Sequence, residues 1–168
     1  MKEAKPLNLG YIIINEFAKQ FDSETHIVNI FDINSIINKM GGKISFLNAH
    51  ELNDKFINII DPGNFEIFLI KGVDKYFERL LLIQSLGHYI LHSKCGKEPC
   101  YVSSPSNSES SKEGLWFSLS LLIPDDSFFE VYNKFDSKAL ANLFLVPQFA
   151  IDSKLKIIEK IYFNKENI

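Results

Sequence analysis

Residues 79–92 read RLLLIQSLGHYILH, and they are the most informative stretch of the chain. Apolar residues recur through it at helical spacing, and they predict one long, largely buried helix over residues 74–91. Only a few polar side chains interrupt the apolar face, and Gln84, Ser85 and His88 lie closest together. We call this segment the motif helix, because its polar residues follow a recognisable spacing.

The spacing of these polar residues matches a zinc-protease helix in which the first metal ligand and the general base are replaced. In H-E-x-x-H helices, two His at i and i+4 bind zinc from one face, and the Glu between them polarises the attacking water. Here His88 takes the second ligand position, Gln84 takes the first, and Ser85 stands where the base belongs. An amide is a poor zinc ligand beside imidazole, and a hydroxyl is not a base near neutral pH. The helix therefore lacks the parts for hydrolysis.

Length and composition set the class of protein. A chain of 168 residues suits one well-packed domain, and we expect a single domain over residues 1–168. The net charge of −3 gives no general reason to expect nucleic-acid binding. No signal peptide is evident, and no apolar run approaches the roughly 18 residues of a membrane span, so we expect a cytoplasmic protein with no membrane partner. Cys95 and Cys100 are then expected to be free thiols.

The N-terminal half predicts two helices followed by a small sheet. Residues 8–21 suit an amphipathic helix with Ile12, Ile13, Phe17 and Phe21 as its apolar positions, and residues 32–40 suit a second helix with Asp32 as its N-cap and Gly41-Gly42 as its stop. Short β-rich runs then predict strands over residues 43–47, 56–60 and 65–70. Asp61-Pro62-Gly63-Asn64 separates the last two runs, which are expected to form an antiparallel hairpin.

Beyond the motif helix, the sequence predicts a loop and then only helices. Residues 93–111 are rich in Ser, Pro, Gly, Asn and Lys and are expected to form a surface loop. Helices are expected over residues 111–123, 126–135, 137–144 and 147–162.

Two elements in order resemble the ImmA/IrrE family of metallopeptidases. That family carries R-x4-H-E-x-G-H-x3-H and then a helix of the form E-x3-F-A-x2-L-L-M-P. The residues of this chain that match the two elements are Arg79, Gly87, His88, His92, Glu113, Phe117, Leu121, Leu122 and Pro124. The resemblance covers roughly residues 8–160. It implies an α+β fold: a zincin-like domain whose small mixed or antiparallel sheet packs on the motif helix, with a helical C-terminal segment.

The resemblance also implies the site. The third zinc ligand of the family is a glutamate on the second helix, and Glu113 occupies its position, so His88 and Glu113 are the remaining metal positions. Arg79 and His92 are further residues of the cleft. No catalytic residue is expected, because Gln84 and Ser85 are degenerate. No bound cofactor is expected from two ligands, although zinc is the ion that an altered site would hold.

Three alternatives stay open at this site. Gln84, Cys95 or Cys100 could supply a replacement ligand, which would leave an altered but working metal site. His92 follows His88 by one turn, but packing at the helix end explains it as well. Arg79 could pair with a buried carboxylate and fix the motif helix, or it could be solvated.

Residues 137–162 resemble a helix-turn-helix segment. Ser137 is expected to cap its first helix and Pro147 to open its second. A DNA-reading helix presents basic and amide residues, and Gln148, Lys154 and Lys156 are available on the second helix for this purpose. Acidic residues on the same helix reduce its positive charge. Members of the family that this chain resembles also have such a segment as part of the fold. Packing is therefore preferred over direct contact with DNA.

The resemblance implies a function in transcription regulation. Family members act on transcriptional repressors, often of phages, mobile elements or stress regulons. This chain is accordingly expected to be a pseudoenzyme that binds a helix-turn-helix repressor or a similar protein partner without cleaving it. The alternative is a metallopeptidase that is active through an altered metal site.

Overall fold

The structure is mixed α+β and mostly helical. It is a computed structural model that describes residues 11–19, 30–51, 57–61, 63–93 and 109–163. In chain order its elements are α1 (residues 11–19), α2 (Ile30–Lys39), β1 (Gly42–Leu47), β2 (Ile57–Asp61), β3 (Asn64–Ile70), α3 (Lys75–His88) with a π-helical turn (Tyr89–Ser93), α4 (Glu109–Leu122), α5 (Asp125–Val131), α6 (Ser137–Phe144), and α7 (Gln148–Ile158) with a second π-helical turn (Glu159–Phe163). Most of the predicted 93–111 loop lies outside the described residues.

The sheet has three strands in the order β1-β3-β2. Strands β2 and β3 form the predicted antiparallel hairpin, and β1 pairs with β3 in parallel, from Gly42 opposite Phe65 to Leu47 opposite Ile70. Every second side chain of β3 is buried in the main core, namely Phe65, Ile67 and Leu69. The sheet is thus mixed, and its buried face shares a core with α3.

Two glycines fix the approach of α2 to the hairpin. Gly41 ends α2 with a φ of 83°, which L side chains rarely adopt. A Cβ at Gly41 would also lie 1.8 Å from the carbonyl oxygen of Gly63, so both its conformation and its surroundings require glycine. The predicted stop is confirmed, but α2 begins at Ile30, and Asp32 lies in its first turn rather than at its N-cap.

The motif helix is α3, and local signals account for its start. The Asp74 side chain accepts hydrogen bonds from the backbone N–H groups of Tyr76 (2.9 Å) and Phe77 (3.3 Å). The α-helix ends at His88, three residues before the predicted end, and continues as the first π-helical turn. Tyr89 stands at this change, where its ring stacks on Phe65 with centroids 3.9 Å apart and its hydroxyl accepts a hydrogen bond from the N–H of Gly63 (2.7 Å).

The buried face of α1 differs from the predicted one. Ile12 and Ile13 are 45% and 60% exposed, and Phe17 is also exposed, whereas Tyr11, Ile14, Asn15 and Ala18 are buried. Hydropathy favoured the isoleucines, but the face that packs inward carries two polar groups with buried partners on α5. Phe21 lies outside the described residues.

The predicted helix-turn-helix segment contains two helices, α6 and α7, and α6 has a different cap from the one predicted. Asp136, not Ser137, caps α6 by accepting a hydrogen bond from the N–H of Ala139 (2.7 Å), while the Ser137 hydroxyl donates to Asp152 on α7 (2.7 Å). Leu145 ends α6 in the left-handed region, with a φ of 54°, and Pro147 then precedes α7 as expected. Among the described residues, no helix is long and apolar enough to cross a membrane.

Candidate functional site

Gln84, Ser85 and His88 lie on adjacent turns of α3 that face the interior. His88 is 1% exposed and Ser85 is 3% exposed, whereas Gln84 is half-buried. The motif therefore lies inside the molecule rather than on an open face. Burial of Ser85 also means that a larger or charged side chain at this position would have to displace core residues.

The imidazole of His88 lies directly against α4. A Cβ built on Gly114 would be 2.5 Å from Nε2 of His88, 2.7 Å from Cδ2 and 3.1 Å from Cε1. Since these are the nearest atoms to that position, Gly114 lies over the face of the imidazole at its Nε2 edge. Gly114 directly follows Glu113, which is half-buried. The structure thus brings His88 to the turn of α4 that carries Glu113, and a common site for the two side chains stays a prediction.

A second glycine holds α3 and α4 together on the same side. A Cβ on Gly87 would lie 2.7 Å from Cδ1 of Phe117, which is fully buried. One glycine on each helix therefore receives a ring from the other helix, since Gly87 faces Phe117 and Gly114 faces His88. Gly87 and Phe117 both belong to the motif elements found in the sequence, and here they act as packing residues.

The candidate zinc ligands lie partly outside the described residues. No group of three His, Cys, Asp or Glu side chains is arranged to hold a metal ion in the described ranges. Zinc in proteins takes three or four such ligands, and Gln84 replaces one of them. The side chain of His92 and both cysteines lie outside the described residues, although the backbone of His92 belongs to the first π-helical turn. Replacement ligands from Cys95 or Cys100 therefore stay a hypothesis.

Arg79 fixes the motif helix to the helix-turn-helix segment. Its Nη1 donates hydrogen bonds to the carbonyl oxygens of Phe144 (2.9 Å) and Leu145 (3.1 Å), at the C-terminal end of α6. A cation at that end satisfies carbonyls left open by the helix and complements its dipole. Burial lowers the pKa of Arg79. The arginine is thus anchored to backbone carbonyls, a target that the sequence did not indicate.

We expect Arg79→Met to lower the free energy of unfolding by about 1–3 kcal/mol, because two charge-assisted hydrogen bonds to carbonyls are lost. Arg79→Lys should fall between the parent and Arg79→Met, since an ammonium keeps the charge but not the forked geometry. Urea titration measures both. An unfolding free energy for Arg79→Met within about 0.5 kcal/mol of the parent would show that this anchor contributes nothing.

A buried polar network lies at the junction of α1, α5 and α7. Lys154 is 0% exposed, forms an ion pair with Asp125, and donates a hydrogen bond to the hydroxyl of Tyr11 (2.7 Å). The Tyr11 hydroxyl donates to Asp125 (3.2 Å), and the Asn15 amide donates to the other carboxylate oxygen (3.4 Å). Burial lowers the pKa of Lys154, and the charge of Asp125 opposes that shift.

The network removes Lys154 from any DNA-reading surface. The sequence offered Lys154 as a basic residue of the second helix, but in the structure its ammonium is enclosed. The signal was present in the sequence: the buried positions of α7 are Ala150, Ile151, Lys154 and Ile158, and the lysine stands in an apolar stripe at helical spacing. A lysine in such a stripe needs a buried carboxylate.

Comparison of the chain with protein-family models, curated proteins and solved structures found no match.

Proposed function

We propose that this chain is a pseudo-peptidase with an ImmA/IrrE-like, zincin-like fold. It binds a transcriptional repressor or a similar protein partner without cleaving it, and as a partner of such regulators it acts in the cytoplasm. The alternative proposal is a metallopeptidase that works through an altered metal site.

The replaced positions of the motif helix carry this proposal, together with the burial of the residue that remains. His88 is 1% exposed, and its ring packs against Gly114 of α4, where a Cβ would be only 2.5 Å from Nε2. Gln84 and Ser85 remove the other imidazole and the carboxylate base. Together these features support a motif helix whose side chains pack into the core but lack the second imidazole and the carboxylate base of a zinc protease.

The surface of the helix-turn-helix segment supports a protein partner rather than DNA. Leu143, Leu145 and Phe149 are 57%, 45% and 46% exposed around the α6–α7 turn. Exposed apolar clusters mark protein contacts, whereas DNA-reading helices present basic and amide groups. With Lys154 enclosed, the second helix also has less positive charge to offer than its sequence suggested.

The first test measures metal. Protein purified without chelators is expected to contain far less than one zinc per chain, and EDTA should leave its thermal unfolding midpoint unchanged, because the site lacks three good ligands. Elemental analysis and calorimetry measure the two quantities. A stoichiometric zinc ion that is lost in both His88→Ala and Glu113→Gln would overturn the pseudo-site and favour the altered metallopeptidase.

The second test measures the partner. The immobilised chain should retain a DNA-binding regulator from lysate of its native host, and mass spectrometry should find that regulator uncleaved. Leu143→Ser with Phe149→Ser should abolish capture, whereas Phe135→Ser, at a comparably exposed phenylalanine, should not. Retention of a truncated regulator, or equal loss with the control, would contradict the proposal.

A further inference from the structure

A pocket of about 200 Å³ opens between α1, α4, α7 and the second π-helical turn. Its lining residues are Tyr11, Lys112, Trp116, Lys156, Ile157, Lys160 and Ile161. It lies on the far side of α4 from His88. Lys112 and Trp116 stand two positions before and after Gly114, and a helix turns by about 100° per residue, so these side chains point away from the His88 contact.

Aromatic rings form the wall of this pocket. Tyr11 and Trp116 meet edge to face, with ring centroids 6.1 Å apart and planes at 84°. The Tyr11 ring is fixed in place, because its hydroxyl is bonded to both Asp125 and Lys154 in the buried network. The buried polar network therefore fixes one wall of the pocket, and such preorganisation favours binding.

Lysines form the rim. Lys156 and Lys160 are exposed and stand four positions apart on the C-terminal helix, where like charges repel, and Lys112 faces them from α4. None of the described residues that line the pocket is acidic. The described lining of the pocket thus carries three lysines, although the net charge of the chain is −3. An anion between them would relieve the repulsion.

We propose that this pocket binds a small anionic aromatic molecule: a single ring that carries a carboxylate. A cavity of roughly 150 Å³ holds one benzene ring, so 200 Å³ accommodates a ring with a short acidic substituent. Drug-sized ligands need roughly 300–1,000 Å³ and do not fit. The ring packs against Tyr11 and Trp116, and the carboxylate lies among the lysines.

Trp116 is the only tryptophan of the chain and lies in the pocket, so its fluorescence reports binding directly. Phenylacetate is expected to change this emission saturably, with a Kd on the order of 0.1 mM for so small a ligand. Phenylacetamide, its neutral isostere, should bind with an affinity at least about ten-fold lower. Acetate should have no effect on the emission. A blocked acidic peptide, acetyl-Asp-Phe-Glu-amide, is titrated in the same way to test whether the pocket binds an acidic protein segment.

Matched variants test whether the lysines at the rim of the pocket contribute to binding. Lys156→Gln with Lys160→Gln should weaken phenylacetate binding on the order of five-fold, since exposed ion pairs contribute modestly. Lys138→Gln changes an exposed lysine outside the pocket and should leave binding unchanged. Circular dichroism confirms that all variants are folded.

Three results would overturn the proposal. They are the absence of a saturable change with phenylacetate at about one hundred times the expected Kd, equal binding of phenylacetamide, and full affinity in the double lysine variant. Binding of the peptide alone would assign the pocket to an acidic protein segment instead.

Discussion

Lys154→Met is expected to lower the free energy of unfolding by about 3–5 kcal/mol, because it leaves the Asp125 carboxylate buried without its cation. Asp125 is 3% exposed, and the hydrogen bonds from the neutral donors of Tyr11 and Asn15 do not replace the lost positive charge. Methionine matches the length of the lysine stem, so packing changes little and the loss isolates the charge. Urea titration followed by Trp116 fluorescence measures the effect, since that ring contacts Tyr11.

Two controls separate the buried charge from the packing. Lys154→Met combined with Asp125→Leu removes both charges and should recover most of the lost stability, because an apolar pair of similar volume needs no counter-ion. Lys138→Met, on the exposed face of α6, should change the free energy of unfolding by no more than about 0.5 kcal/mol. A loss below about 1 kcal/mol for Lys154→Met would show that the ion pair is solvated.

Gln84→His with Ser85→Glu is expected to raise zinc affinity by orders of magnitude. The introduced imidazole, His88 and Glu113 would supply three protein ligands, and the introduced carboxylate would stand where the base belongs. Turning the packed His88 ring toward an ion costs little in comparison with zinc binding. An unfavourable rotamer costs about 0.5–1.5 kcal/mol, whereas zinc binding to a structural site contributes about 10–16 kcal/mol. The free-energy cost of rotating the ring is therefore too small to prevent zinc binding.

Without metal, the same double variant should be less stable than the parent. Ser85 is 3% exposed, and a glutamate at this position places a carboxylate in the core, which costs several kcal/mol unless it is paired or takes up a proton. Zinc should restore the stability by mass action. Thermal unfolding with and without zinc, together with a zinc titration, measures both parts of this expectation.

Gln84→Ala with Ser85→Glu is the matched control, because it carries the same carboxylate without the imidazole. Its stability should fall by a similar amount, and zinc should not restore it. If the Gln84→His variant binds zinc no more tightly than the parent, His88 and Glu113 do not belong to one metal site. The ImmA/IrrE-like proposal would then lose its central residues.

Much of the fold could be predicted because its signals are local. The N-cap Asp74, the apolar run of α3 and the glycines after α2 each act within a few residues of their own position. The hairpin of β2 and β3 likewise depends on adjacent runs and the turn between them. For the same reason the segments carrying Gln84, Ser85, His88 and Glu113 were predicted as helices.

The parts that could not be predicted depend on partners distant in sequence. Tyr11 and Asp125 are 114 positions apart, Tyr11 and Lys154 are 143 apart, and Arg79 reaches carbonyls 65 and 66 positions away. Hydropathy therefore selected the wrong face of α1 and left Lys154 on the surface. Hydrophobic periodicity predicts that a helix has a buried face. Which polar groups meet at that face depends on how the helices pack together. Local patterns in the sequence were sufficient to place most helices and strands and to find Gln84 and Ser85 where a zinc-protease helix has His and Glu. The packing of His88 on Gly114 and the enclosure of Lys154 appear only in the folded molecule, because they depend on the distance between helices and not on any one helix.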